Sequence, residues 1–431
     1  MSVLLALVMG AMDPVWAGNA AIPSLSRAGA SGFESFDHEV IAWMRRHQVP
    51  GAAIAVARNG RIVLARGYGY ADIQSGRVVE PSSLFRIASV SKPITAVALL
   101  RLLESKPVDR NGEVVTLDSP IMSILDGALS EGEPLDPRWR QLTLRHLLHH
   151  TGGWDRDESF DPMLPPFSIA ERLGTVPPAG PEEVIRYMLG QPLDFAPGAR
   201  YAYSNFGYCL LGRIIESLSG ASYERFVRDE VLEPLGIRGM RIGATLTDGR
   251  RSREVTYYHD GAAPSVFDLP YGGNGCEWAP APYGGFALEP MDAHGGWLAS
   301  ASDLVRFGAA FDDAEKCPVL SEESIRAMFA RPDGAAGYEA DGTPLDAYYA
   351  FGWMVRPRSD RLGDPDEGLP GMANHWHAGR LAGTTSLLVR RHDGLTWAIL
   401  ANRGYGPDGG PLDDDIDGAL HRAADAVRMW P

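Results

Sequence analysis

Lysine is almost missing from this chain. Its 431 residues hold only Lys92, Lys106 and Lys316, and arginine supplies the rest of the 40 basic side chains. Against 55 acidic residues the formal charge is −15, which argues against nucleic acid and anionic membrane surfaces as partners. Cysteine is scarce as well. Three thiols cannot staple a chain of this length, so its stability must come from an apolar core, and 45% hydrophobic residues suffice for one. Cys209 lies in a helical apolar run and reads as a small buried hydrophobe. Cys276 and Cys317 lie in loop-like sequence and are able to pair only if the protein is exported. No segment offers the roughly 20 consecutive apolar residues that span a bilayer, which excludes stable membrane insertion. Internal repeats and low-complexity linkers are also absent, leaving a single domain over 25–431.

What is present begins with a short apolar stretch at residues 3–12, followed by Val15-Trp16-Ala17 and then Gly18. This has the form of a signal peptide over residues 1–17, although its n-region lacks Lys and Arg, and it implies a secreted or periplasmic location. Residues 33–47 form an amphipathic helix with Phe36, Val40, Ile41 and Met44 on one side. Residues 52–57 and 61–68 are strands joined by Asn59-Gly60, a hairpin signal. Helices follow at 142–149, 181–189, 207–218, 302–311 and 321–329. Residues 257–294 have little periodicity and many Pro, Gly and aromatic residues, which suits a binding surface or lid. Strands return at 348–355, 384–390 and 395–401, the last two turning at Asp393-Gly394, before a final helix over 415–429. Strands at both ends with helices between them imply an α/β (α+β) fold in which the two ends build one sheet (about 33–85 and 290–431). The helical lobe (about 86–289) is inserted beside it, and pockets commonly form in such a crevice.

One of the three lysines stands three residues after a serine, in Ser89-Val90-Ser91-Lys92-Pro93, at the start of an apolar helix. Residues three apart share a helix face, so the Ser89 hydroxyl and the Lys92 amine point the same way. Pro93 is tolerated in a first turn, and free N–H groups at a helix start favour a developing anion. A serine beside an amine that can take its proton is an activated nucleophile. Tyr203-Ser204-Asn205 lies in a turn before another helix, where Tyr203 and Asn205 can enter one cleft. There the phenol can relay a proton, and the amide can hold a substrate carbonyl or fix Lys92. The plainer reading is a helix-capping Asn with a packed Tyr. Near the C-terminus, His377-Ala378-Gly379 precedes a strand. Gly379 permits close backbone approach, and His377 offers a donor or a part-time positive charge.

In this order, Ser-x-x-Lys, Tyr-x-Asn and a basic residue-x-Gly resemble the serine β-lactamase and penicillin-binding-protein superfamily. The likeness is to its class C β-lactamase-related branch, which includes D-aminopeptidases, D-Ala-D-Ala carboxypeptidases and family VIII esterases. Leu147-Leu148-His149-His150-Thr151-Gly152-Gly153 is similar to that branch's Leu-Leu-x-His-Thr-Ser-Gly segment. Pro197-Gly198, Leu211-Gly212, Ile215-Glu216 and Ser219-Gly220 follow its pattern around Tyr203. Gly295-Gly296 with Ser300-Ala301-Ser302-Asp303 is similar to its Gly-Gly-x-x-Ser-Thr-x-x-Asp. The resemblance runs from about residue 33 to the last helix.

It implies a β-lactamase/transpeptidase-like fold with an antiparallel sheet and a serine hydrolase that needs no cofactor or metal. The implied substrate is a small molecule or short peptide. Ser89 would attack an ester or amide carbonyl while Lys92 and Tyr203 share the proton, the pKa of one or the other being lowered by nearby cations and burial. The backbone N–H groups of Ser89 and Arg380 would hold the oxyanion, beside Asn205, His377 and Gly379. The chain departs from the lactamase pattern at His377, where lactamases carry lysine. This favours carboxylesters or D-amino-acid-type amides over β-lactamase or D-Ala-D-Ala carboxypeptidase activity, with Arg380 offsetting the lost charge by binding an acidic substrate group. Two other classes stay open: a metal hydrolase built on His146, His149 and His150 or on His375 with His377, and a catalytically silent peptide-binding module.

Overall fold

The protein was analysed as a computed structural model that describes residues 24–28, 32–125, 134–164, 167–267 and 277–431. The leader reading over residues 1–17 and Cys276 lie outside the described residues, and Cys209 and Cys317 carry free thiols.

A nine-stranded antiparallel sheet forms the backbone of the molecule. Its spatial order is Ser24–Ala28, Arg61–Asp72, Gly51–Arg58, Leu395–Ala401, Thr384–Arg390, Ala373–Leu381, Met354–Pro357 and Tyr348–Tyr349, with Arg77–Val78 added beside Arg61–Asp72. The two chain ends meet where Gly51–Arg58 pairs with Leu395–Ala401, Ile54 opposite Ile399. The hairpin turn at Asn59-Gly60 has both residues at positive φ, 49° and 76°, the geometry whose twist suits two right-twisted strands. The reading of one strand over 348–355 is corrected. Gly352 at φ 79° breaks it into two short strands that pair with each other.

Alternation along Gly51–Arg58 divides the core in two. Ile54 and Val56 face Phe36, Val40, Trp43 and Met44 of the Glu34–His47 helix, together with Ile416, Leu420 and Ala423 of the Asp413–Asp425 helix. Ala53, Ala55 and Ala57 face the other way, into the core shared with the Ser91–Glu104 and Ala301–Ala309 helices. Small residues are needed on that face because the helix lies close. A Cβ at Gly308 would sit 3.1 Å from Thr396 and 3.2 Å from Leu388. No helix among the described residues is long and apolar enough to cross a membrane.

The short strand Phe85–Arg86, which leads into Ser89, is tied to the irregular segment by one fully buried cation. Arg86 donates to the carbonyls of Pro282 (2.6 Å) and Ala244 (2.8 Å), and its guanidinium lies 4.4 Å over the Tyr257 ring. Glu254, equally buried, stands 3.9 Å away and accepts from Tyr257 Oη at 2.9 Å. Arg86→Met leaves that carboxylate without its counter-charge and removes the donor to three carbonyls, those of Pro282, Ala244 and Thr245, and is expected to cost about 3 kcal/mol. Urea unfolding measures this; a midpoint equal to wild type would show that Arg86 holds nothing in place.

Candidate active site

Ser89 occupies a single 3-10 turn, Ala88–Val90, that runs directly into the Ser91–Glu104 helix. Ala88 has φ 46°, a left-handed conformation that costs a residue with a Cβ about 1–2 kcal/mol. The surroundings hold it there: Ala88 packs with Phe286, Leu288, Met291 and Leu381. Thr384 Oγ1 donates to Arg86 O (2.8 Å) and Ser386 Oγ to Ile87 O (2.6 Å), so the neighbouring strand clamps the approach to the nucleophile. The Ala373–Leu381 strand lies against the same turn. A Cβ on Gly379 would fall 2.3 Å from Ile87 O and 2.9 Å from Ser89 N. Only glycine lets the two backbones approach this closely.

Lys92 is wholly buried. Its Nζ lies 3.1 Å from Ser89 Oγ, 2.8 Å from Asn205 Oδ1 and 3.0 Å from the His294 carbonyl oxygen. Burial pushes its pKa well below the ordinary lysine value, with Asp161 opposing and Arg156 adding to the fall. A neutral amine has two N–H donors and one lone pair. In that form, giving both donors to the two carbonyl oxygens would leave the lone pair for the Ser89 hydroxyl. Tyr203 lines the same cleft as Ser89, with its ring 4.6 Å from Lys92 Nζ. Of the two groups, one of which was expected to have a lowered pKa, it is Lys92 and not the phenol that has it. Burial raises the phenol pKa, and the nearby Ser89 hydroxyl only partly opposes this, so burial disfavours the charged form of both groups, lowering the pKa of Lys92 and raising that of Tyr203.

Asn205 is the first residue of the Asn205–Ser219 helix, but it is not the cap. Ser204 Oγ accepts from Gly207 N at 3.2 Å and fills that role. Both ends of the Asn205 amide are engaged, Oδ1 by Lys92 and Nδ2 by Asp161 Oδ2 at 2.6 Å. Of the two roles open to it, Asn205 takes that of fixing Lys92.

His377 lines the cleft without a charge. Its Nδ1 donates to Ala378 O at 2.6 Å and its Nε2 accepts from Tyr349 Oη at 3.0 Å. Burial, then the nearby Lys92, lower its pKa to about 3. Burial therefore disfavours the part-time positive charge expected there. Arg380 lines the cleft too, and its guanidinium pairs with Asp413 Oδ1 at 2.5 Å, so an anion of the chain already offsets its charge.

The histidines of the metal reading have other tasks. His150, at φ 58°, accepts from Ser204 N–H at 3.1 Å and packs its ring 4.4 Å from those of Tyr203 and Tyr349. His149 Nδ1 lies 3.1 Å from Tyr349 O, and His375 Nε2 lies 2.6 Å from Gly368 O. Among the described residues, no three His, Cys, Asp or Glu side chains gather as a ligand set. His150 and Tyr349 thus form the wall behind Tyr203. The Leu-Leu-x-His segment pointed to the first, but nothing local marked Tyr349.

Ser89, Tyr203, Asn205, His377, Gly379 and Arg380 share one cleft of about 510 Å³, walled by Leu164, Tyr201, Met291, Trp376, Leu381 and Tyr405. A larger hollow of about 880 Å³, near Arg306 and Arg391, contains none of them. A serine with a buried amine and phenol in the crevice between an antiparallel sheet and a helical lobe defines a serine hydrolase of the β-lactamase/transpeptidase type. The chain belongs to the β-lactamase family, whose model, described as "Beta-lactamase", matches residues 36–421. Esterase EstB of Burkholderia gladioli is 30% identical over 402 residues, covering 88% of this chain and 92% of that protein. Among solved structures, the D-amino acid amidase of Ochrobactrum anthropi SV3 superposes with a TM-score of 0.63 at 22% identity, covering 92% of this chain and 97% of that one. The octameric penicillin-binding protein homologue of Pyrococcus abyssi gives 0.62 at 24%, covering 91% and 77%. At these identities the two structures share the fold.

Proposed function

We propose that the protein hydrolyses carboxylesters and D-amino-acid-type amides through an acyl-enzyme on Ser89. The observation that carries this is the 3.1 Å approach of Lys92 Nζ to Ser89 Oγ, with Asn205 Oδ1 and His294 O placed to take the amine's other two hydrogen bonds. Ser89 Oγ forms a bond to the substrate carbonyl carbon as its proton passes to Lys92. The oxyanion is held by the Ser89 and Arg380 backbone N–H groups, donors worth about 3 kcal/mol each in a transition state. As the tetrahedral intermediate collapses, the bond to the leaving oxygen or nitrogen breaks and Tyr203 supplies that atom's proton. Lys92 then reprotonates the phenol. In the second half the same pair takes a proton from water as its oxygen bonds to the acyl carbon, and the bond to Ser89 Oγ then breaks, Oγ taking that proton back as the acid leaves.

The preference against β-lactams and cell-wall carboxylates rests on charge. A substrate carboxylate finds a neutral His377 and an Arg380 already paired with Asp413. Similarity to an esterase over nearly the whole chain supports the ester arm. A fold shared with a D-amino acid amidase is compatible with the amide arm. A panel of short-chain nitrophenyl esters, D- and L-amino-acid amides and nitrocefin tests the reading, with a fluorophosphonate label mapped by peptide mass. The expected result is turnover of esters or D-amides and label on Ser89. Nitrocefin turnover faster than that of any ester would overturn the preference, and label elsewhere would overturn the site.

A further inference from the structure

We propose that Asp161 is a positioning residue for the Lys92 amine, acting through Asn205. The inference rests on the acyl-enzyme reading, because it concerns the group that takes the Ser89 proton. Asp161 belongs to a turn in the helical lobe, 44 residues before Asn205. Its two carboxylate oxygens have separate tasks: Oδ1 accepts from Met163 N at 3.0 Å, which fixes the turn, and Oδ2 accepts from Asn205 Nδ2 at 2.6 Å. Asn205 then presents Oδ1 to Lys92 Nζ at 2.8 Å.

The orientation of this amide follows from chemistry. A carboxylate only accepts, so Nδ2 must face Asp161, and the other end must be the carbonyl that faces the lysine N–H. Turning the amide over would set oxygen against the carboxylate and N–H against the amine. Asp161 forbids that turn. It thereby keeps one of the two acceptors that hold the amine's protons away from Ser89.

A second effect is electrostatic. Lys92 is faced by Ser89, Tyr203, Tyr208, Asn205 and His294, with His150 and His377 nearby, and burial holds all three histidines neutral. The charges that act on it are Asp161, which favours the ammonium form, and Arg156, which opposes it. Asp161 therefore aligns the amine and moderates how far burial depresses its basicity.

The two effects separate experimentally. Asp161→Asn keeps an acceptor for the Asn205 amide but removes the charge. Because an Asn amide can also donate, the variant no longer forbids the turned Asn205 amide, so its plateau kcat should fall a few-fold, less than in Asp161→Ala. The acid limb of kcat/KM should move to lower pH, because removal of a nearby anion lowers the pKa of a base that must be neutral. Asp161→Ala removes both, and its plateau kcat should fall about tenfold with KM little changed, since Asp161 touches no substrate. Wild-type kcat and pH profile in Asp161→Ala would overturn the proposal. So would equal losses in both variants with an unmoved limb and a lowered melting temperature, which is the pattern of a loop anchor. Should the alanine variant fail to fold, the limb position in Asp161→Asn decides alone. Retained turnover in a Ser89→Ala control would instead mark failure of the acyl-enzyme reading.

Discussion

Ser89→Ala is expected to lower kcat/KM for a nitrophenyl ester by about 10⁴-fold while leaving the fold unchanged. The loss is large because the oxygen that forms the covalent bond is gone, and the remaining oxyanion donors and cleft accelerate attack by water only weakly. The fold survives because only one half-buried hydroxyl is removed. The strained Ala88 turn is held by Thr384, Ser386 and apolar packing, none of which involve the Ser89 side chain. Three measurements check this: steady-state hydrolysis, intact mass after incubation with ester, and a urea midpoint. A variant within tenfold of wild type, or one that still gains the acyl mass, would remove Ser89 from the mechanism.

Lys92→Met should be nearly as damaging, with kcat/KM down by about 10³-fold, within the range for loss of a positioned base. Methionine fills the same narrow channel without an amine, so the variant separates chemistry from packing. The pH profile carries more information than the rate. In the wild type the neutral amine is the active form. Activity therefore rises with pH through the depressed pKa of Lys92 and then levels off, and in Lys92→Met that limb should disappear. Stability should respond as well. Because burial disfavours ammonium in the fold, the unfolded chain binds the extra proton between the native pKa and the ordinary value near 10.5. Wild-type stability thus gains with rising pH across that window, a gain the methionine variant lacks. Persistence of the same acid limb in the variant would assign it to another group.

Much of this protein is written locally. Asn59-Gly60 between two alternating stretches can form little but a tight hairpin, and both residues do take positive φ. The strands Thr384–Arg390 and Leu395–Ala401 fall where their β-branched and apolar runs indicate. Ser89 and Lys92 need only three residues of helical geometry to meet, and Tyr203 and Asn205 need one turn. The Ala373–Leu381 strand was harder to read. Buried alternate positions at Ala373, His375, His377 and Gly379 give no apolar period, because that face carries polar and small residues, His377 and Gly379 of them lining the cleft. The break at Gly352 was also hidden. A glycine in a strand-like run permits a turn but does not require one, and the need comes from Lys92 O and Pro93, each 2.9 Å from where a Cβ would stand.

The sequence by itself determined the family, the sheet built from both chain ends and the order of the three motifs, because each depends on neighbours a few residues apart or on a pattern kept along the chain. The tertiary structure alone decided the electrical character of the cleft. His377 is neutral because burial and the Tyr349 and Ala378 partners hold it so, Arg380 is committed to an aspartate 33 residues away, and Asn205 is turned toward Lys92 by Asp161. Charge and proton affinity depend on distances through space and on exclusion of water, which residue order does not encode.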